Sequence, residues 1–206
     1  MEAIRAQGRL EASGERVMKE IRIHGRGGQG VVLASEIFVN AAVREGKHAA
    51  SFPYFGFERR GAPVFGFVRF DTQPIRQKDQ VYHPDCLVVF DDTLFKAVDI
   101  YQGIRQHGTL ILNAAQTSSE TPLPPEIELL GLVDATRISL ETVGTFIPNT
   151  AMLGALARVT GWVSLDSLKQ SVQQMLDRKI RKKNIEILER AYAEAVVREI
   201  GQGARR

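Results

Sequence analysis

Gly25, Gly27 and Gly30 stand in the spacing G-x-G-x-x-G, with "IRIH" before them and "VVLASEIFVNAAV" after them. A short apolar strand that passes through glycines into a helix exposes backbone amides at the positive end of the helix dipole. That arrangement receives anions. In such a turn Gly25 permits the tight bend, Gly27 lets the backbone approach a ligand, and Gly30 lets the helix pack on its strand. Gly28 adds a second small residue at the apex, so little side chain shields the amides. Arg26 and Gln29 occupy the remaining positions. The candidate anion-binding set is therefore Gly25, Arg26, Gly27, Gly28, Gln29 and Gly30. A tight turn without a ligand is the plainer reading of the same residues.

A dinucleotide site requires an acidic residue at the end of the second strand, about 20 residues further on. Ala49, Ala50 and Ser51 stand there, while Glu45 falls too early and Glu58 too late. A free-standing Rossmann-type oxidoreductase stays open as the alternative, but without its most discriminating residue. The next stretch, "FPYFGFERRGAPVFGFVRF", concentrates aromatic residues around Arg59 and Arg60. A pair of guanidiniums can grip phosphate or carboxylate bidentately, or pair across an interface. A solvated loop is the alternative. His24, Asp91, Asn113 and Asn149 suit turn hydrogen bonds and helix caps better than ligand contacts.

Around these loops, apolar periodicity predicts the framework. Strands are expected at Ile21–His24, Val64–Phe70, Cys86–Phe90 and Thr109–Leu112, with a short one at Leu132–Asp134. Helices are expected at Val31–Glu45 and at Thr93–Gln106, the latter ending at Gly108. From Pro148 onward the pattern is helical: Thr150–Thr160, Leu165–Asp177 and Asn184–Ile200, with Asn149 and Ser164 as caps. Thr117–Glu128 reads as a loop. Strands mixed with helices, then helices alone, imply an α/β fold: a doubly wound, largely parallel Rossmann-like sheet with a helical C-terminal part. Residues 1–18 read as a polar arm and 19–206 as one domain.

The chain has 206 residues, a net charge of +3 and a single cysteine, Cys86. One cysteine excludes an internal disulfide framework and a multi-cysteine metal site. The opening segment lacks the apolar core of a secretion signal, and no apolar run reaches the ~18 residues of a membrane span. A cytoplasmic location is expected. The run "DRKIRKKN", Asp177 to Asn184, carries five cations and reads as a solvated helix face or a contact for an acidic partner. Stacking aromatics and recognition motifs for nucleic acid are missing.

"GRGGQGVVLAS", "FPYFGFERRGAPVFGFVRF", "PDCLVVFD", "LILNA" and "PNTAMLGALA", in that order, resemble the gamma subunit of the 2-oxoacid:ferredoxin oxidoreductases. The resemblance runs from about Lys19 to the C-terminus. It implies a subunit of an enzyme that oxidatively decarboxylates a 2-oxoacid to an acyl-CoA and passes electrons to ferredoxin or, through a flavin subunit, to another acceptor. It further implies alpha, beta and delta-type partner subunits, with thiamine diphosphate, magnesium and iron–sulfur clusters held by them. This chain is then expected to bind no cofactor alone, to carry no catalytic residue or metal, and to contact either coenzyme A or a partner subunit through the glycine loop with Arg59 and Arg60.

Overall fold

The computed structural model describes residues 18–54, 61–116 and 123–200. Arg59 and Arg60, the loop at 117–122, and all of the expected arm except Met18 lie outside the described residues. Seven strands form one sheet: β1 (Lys19–Arg26), β2 (His48–Tyr54), β3 (Pro63–Asp71), β4 (Cys86–Val89), β5 (Gly108–Asn113), β6 (Ile127–Val133) and β7 (Val196–Glu199). Five α-helices accompany them: α1 (Val31–Arg44), α2 (Ala135–Val143), α3 (Asn149–Thr160), α4 (Leu165–Met175) and α5 (Arg178–Glu194). The spatial order is β2-β3-β1-β4-β5-β6-β7. The central strands β1, β4, β5 and β6 are parallel, and β3, β2 and β7 join antiparallel at the two edges.

The alternation of each strand builds two layers. Ile21, Ile23, Cys86, Val88 and Ile111 pack with the buried faces of α1 to α5. Leu87, Val89, Leu110 and Leu112 face the opposite way, onto Leu94 and Ile100. The helical layer is close-packed where α3 meets α5. A methyl group added to Gly154 would meet the carbonyl oxygen of Leu188, so glycine there lets the two helices touch backbone to backbone.

The α/β expectation holds, with four corrections. The helix expected over Thr93–Gln106 is a 3-10 turn at Asp92–Lys96 followed by irregular turns. Arg22 Nη2 donates to the carbonyls of Ile100 at 2.9 Å and Gln102 at 2.6 Å, and Gly103 takes a left-handed φ of 72°, neither of which fits a continuous helix there. Those acceptors are then held by the sheet rather than by a helix ladder. Gly108 accordingly starts β5 instead of stopping a helix.

The helix expected over Asn184–Ile200 begins earlier, at Arg178, and ends at Glu194. Val196–Glu199 leaves it to pair with β6, where two β-branched valines suit a strand and cover an open edge. The short strand at Leu132–Asp134 is the end of a longer one, and Ile127 and Glu128 belong to it rather than to a loop. Two elements escaped the periodicity. β2 is an edge strand with small residues only at Ala49, Ala50 and Ser51, and Pro53 is tolerated in it. α2 is a short helix bracketed by the Asp134 cap and a left-handed Gly144.

Candidate functional site

Because β1, β4 and β5 are parallel, their carboxyl ends bring the glycine loop, Asp91 and Asn113 to one rim. Ligands of open parallel sheets sit beyond such ends. β1 continues through Arg26, with Gly25 still paired to Val64. A methyl group on Gly25 would collide with the Val31 side chain, so Gly25, not Gly30, provides the close approach of α1 to its strand. Gly28 and Gly30 carry the turn, at φ 97° and 79°. These are left-handed values that favour glycine.

The loop is tied to its neighbours through some of its backbone. Gly27 N–H donates to Ala62 O at 2.9 Å, and Gly61 N–H donates back to Gly27 O at 3.2 Å. Gln29 N–H donates to Arg26 O, while Gln29 Oε1 accepts from Arg26 N–H at 2.7 Å. Among the described residues the amides of Gly28 and Gly30 have no partner, and Gly30 leaves α1 without a side-chain cap. Among the described residues nothing lies within 4 Å of a methyl group built on Gly28, so they leave the apex open. Two free amides beside an uncapped helix start, under an open apex, suit a phosphate or a carboxylate.

Arg26 stands in the loop without pointing a free charge at it. Its Nε donates to Asp91 Oδ2 at 3.0 Å, Nη1 to Gly61 O at 3.0 Å and Nη2 to Thr93 Oγ1 at 2.7 Å. The guanidinium is a latch among three segments. Asp91 also receives Gln29 Nε2 at 3.4 Å and caps the 3-10 turn through Thr93 N–H at 3.0 Å. Asn113 ties β4 to α2, donating to Phe90 O at 2.9 Å and Thr136 Oγ1 at 2.8 Å. Both residues hold loops together, as their sequence context suggests.

Asn149 differs from its expected role. It is the first residue of α3, not its cap, and its Oδ1 accepts from Thr150 N–H at 2.8 Å. Its Nδ2 would lie 2.5 Å from a methyl group on Gly30. Asn149 thus borders the loop from the opposite side, and only the start of a helical motif hinted at it. Ser164 caps α4 as expected, accepting from Ser167 N–H at 3.1 Å.

His24 lies behind the loop, 1% exposed, with its ring edge-on to Phe65 at 5.1 Å. Its Nε2 accepts from Arg22 Nε at 3.1 Å, which places the proton on Nδ1. Burial, reinforced by the Arg22 charge, pushes its pKa down to about 3. His24 is neutral at ordinary pH and does not carry protons to the rim.

Cys86 is fully buried, its Sγ directed at Leu87 O at 3.7 Å. Burial, with a smaller contribution from Asp85, pushes the thiol well above its ordinary pKa. A thiol held protonated in the core does not fit an iron–sulfur ligand. Among the described residues no group of three His, Cys, Asp or Glu side chains is placed to hold a metal ion. No helix among them is long and apolar enough to cross a membrane.

Residues 20–194 match the family model of pyruvate ferredoxin/flavodoxin oxidoreductase. The chain is 48% identical over 191 residues to the NADH-dependent phenylglyoxylate dehydrogenase subunit gamma of Aromatoleum evansii, covering 91% of this chain and 99% of that one. It is 45% identical over 185 residues to the pyruvate/ketoisovalerate oxidoreductases common subunit gamma of Thermococcus kodakarensis, covering 89% of this chain and 100% of that one. The crystal structure of pyruvate oxidoreductase subunit PORC from Thermotoga maritima superposes with a TM-score of 0.77 at 35% identity, over 89% of this chain and all of that one. The chain belongs to the pyruvate ferredoxin/flavodoxin oxidoreductase family, as a gamma-type oxidoreductase subunit.

Proposed function

We propose that this chain assembles with alpha, beta and delta-type subunits into a cytoplasmic complex that joins a 2-oxoacid to coenzyme A as the acyl-CoA, releases carbon dioxide and passes the two electrons to ferredoxin or a similar acceptor. A 2-oxoacid is the class shared by pyruvate, ketoisovalerate and phenylglyoxylate, which the relatives' names carry. Thiamine diphosphate, magnesium and the iron–sulfur clusters belong, in this reading, to the partners. The residues from 19 onward act as one gamma unit, preceded by the polar arm.

The chain's own contribution is coenzyme A access and assembly at the glycine rim. The observation that carries this is the pair of unpartnered amides at Gly28 and Gly30, beneath an open apex and beside Asn149 Nδ2. Such donors favour a phosphate of coenzyme A. Arg26 holds the loop in shape through Asp91. Arg59 and Arg60, the two residues that precede the Gly61 paired with Gly27, supply in this reading the cations for the same anion.

The test is the reconstituted enzyme carrying Arg59→Ala or Arg60→Ala. We expect a higher apparent KM for coenzyme A or weaker assembly, with thiamine loading of the partner unchanged. Wild-type values of both complex yield and coenzyme A kinetics overturn the assignment of the arginine pair.

A further inference from the structure

The first turns of α5 break a local rule. Arg178, Lys179, Arg181, Lys182 and Lys183 crowd the positive end of the helix dipole, and the first turn holds no acid. The cap is Asp177, whose Oδ1 accepts from Lys179 N–H at 2.8 Å. None of the five cations forms an ion pair among the described residues, and the buried Nε of Arg181 has no hydrogen-bond partner there. The other half of the same helix is organised differently. Glu189 pairs with Lys169 at 2.6 Å, and Arg190 with Glu141 at 2.7 Å. A helix that balances its charges at one end and accumulates a single sign at the other departs from local consistency, which is characteristic of a functional surface.

Topology sets where that surface lies. Thr150 Oγ1 donates to Asn184 Oδ1 at 2.8 Å, and further along both helices Gly154 packs against Leu188 and Tyr192. Therefore α3 and α5 run parallel, and their N-termini share one end of the molecule. The α3 N-terminus is the one that touches the glycine loop, through Asn149 and Gly30. α5 overhangs α3 there by roughly 7 Å. This end also carries exposed apolar side chains: Ile180 on α5 is 49% exposed, and Phe146, three residues before the start of α3, is 66% exposed with Ile147 next to it in the chain at 42%.

We propose that this overhang, Arg178 to Lys183 with Ile180, Phe146 and Ile147, is a docking surface for an acidic face of a partner subunit. The proposal rests on the gamma-subunit reading. Unpaired charge of one sign selects a partner of the other sign and speeds its encounter. The combination of apolar side chains with a charged surround matches the anatomy of a protein interface. A small nucleotide calls for a concave site instead, whereas this end is an exposed helix overhang. The α3 N-terminus, through Asn149 at Gly30, stands between this surface and the glycine rim, so docking on α5 leaves the rim itself uncovered.

The experiment uses the full chain and the remaining subunits of its native complex, with association rates measured at about 0.05 and 0.5 M NaCl. The wild-type rate should fall about ten-fold between the two. Lys182→Glu/Lys183→Glu should associate about ten-fold more slowly at low salt and lose most of the salt dependence, while the assembled enzyme keeps its KM for coenzyme A. Lys182→Gln/Lys183→Gln should fall between, and serves as the test if circular dichroism shows that the reversal variant is unfolded. Association at the wild-type rate overturns the proposal. So does normal assembly with a raised KM for coenzyme A, which assigns the cations to the nucleotide. If no other subunit accompanies the native chain, the gamma-subunit reading itself fails. Partners that bind the variant and the wild type alike defeat only the docking surface.

Discussion

Arg26 Nε donates to Asp91 Oδ2 at 3.0 Å, joining the last residue of β1 to the cap of the 3-10 turn after β4. The charge that the sequence offers to a ligand in the glycine loop is thus the charge that holds the loop. Asp91→Ala removes the cap and the partner of a partly buried guanidinium at once. We expect a stability loss of about 2 kcal/mol in urea denaturation. Asp91→Asn keeps an acceptor for Thr93 N–H and should lose about half as much. A loss below about 0.5 kcal/mol for the alanine variant would show that the latch contributes nothing.

Gly28 and Gly30 should separate conformation from packing. Both need a left-handed backbone, but among the described residues Gly28 has no neighbour in reach of a methyl group and Gly30 faces Asn149. Gly28→Ala should cost about 1 kcal/mol, from backbone strain alone. Gly30→Ala should cost about 2–4 kcal/mol, because Asn149 must also move. Thermal denaturation of the two variants ranks them; equal losses contradict the packing role of Asn149.

The buried His24 gives a pH dependence of known sign. Its folded pKa of about 3 lies below the ordinary 6.5 of the unfolded chain. Between these values only the unfolded state gains the proton. Stability from this group is full above about pH 6.5 and is lost as pH falls toward 3, with a limiting slope of about 1.4 kcal/mol per pH unit. His24→Gln preserves an acceptor for Arg22 Nε and should flatten that slope between pH 6 and 4. Urea titrations at a series of pH values check it, and parallel curves for the two proteins refute the assignment.

Cys86 should be inert in the folded chain. A fully buried thiol with a raised pKa offers no thiolate to a disulfide reagent. The native protein should react with such a reagent only on the timescale of unfolding, and the denatured protein should release one equivalent at once. Rapid reaction of the native protein places the cysteine elsewhere than in the core.

The sequence alone determined the elements whose signals are local. β1, β3, β4 and β5 showed as apolar runs or alternation, α1 and α3 through three- and four-residue steps, and α4 through the Ser164 cap. The glycine loop and its place on the rim were legible for the same reason: a strand, a glycine turn and a helix are contiguous. What only the tertiary structure decided depends on partners far along the chain. Arg22 reaches Ile100 and Gln102 and holds carbonyls that a helix favoured by local periodicity would have used internally. β6 recruits Val196–Glu199 from the expected C-terminal helix, because an open sheet edge offers hydrogen bonds that an isolated segment cannot foresee. Asp91, 65 residues from Arg26, turns a presumed ligand cation into a latch, since a guanidinium's role depends on which acceptors surround it. Asn149 comes to face Gly30 for the same reason, through the packing of α3 beside the loop.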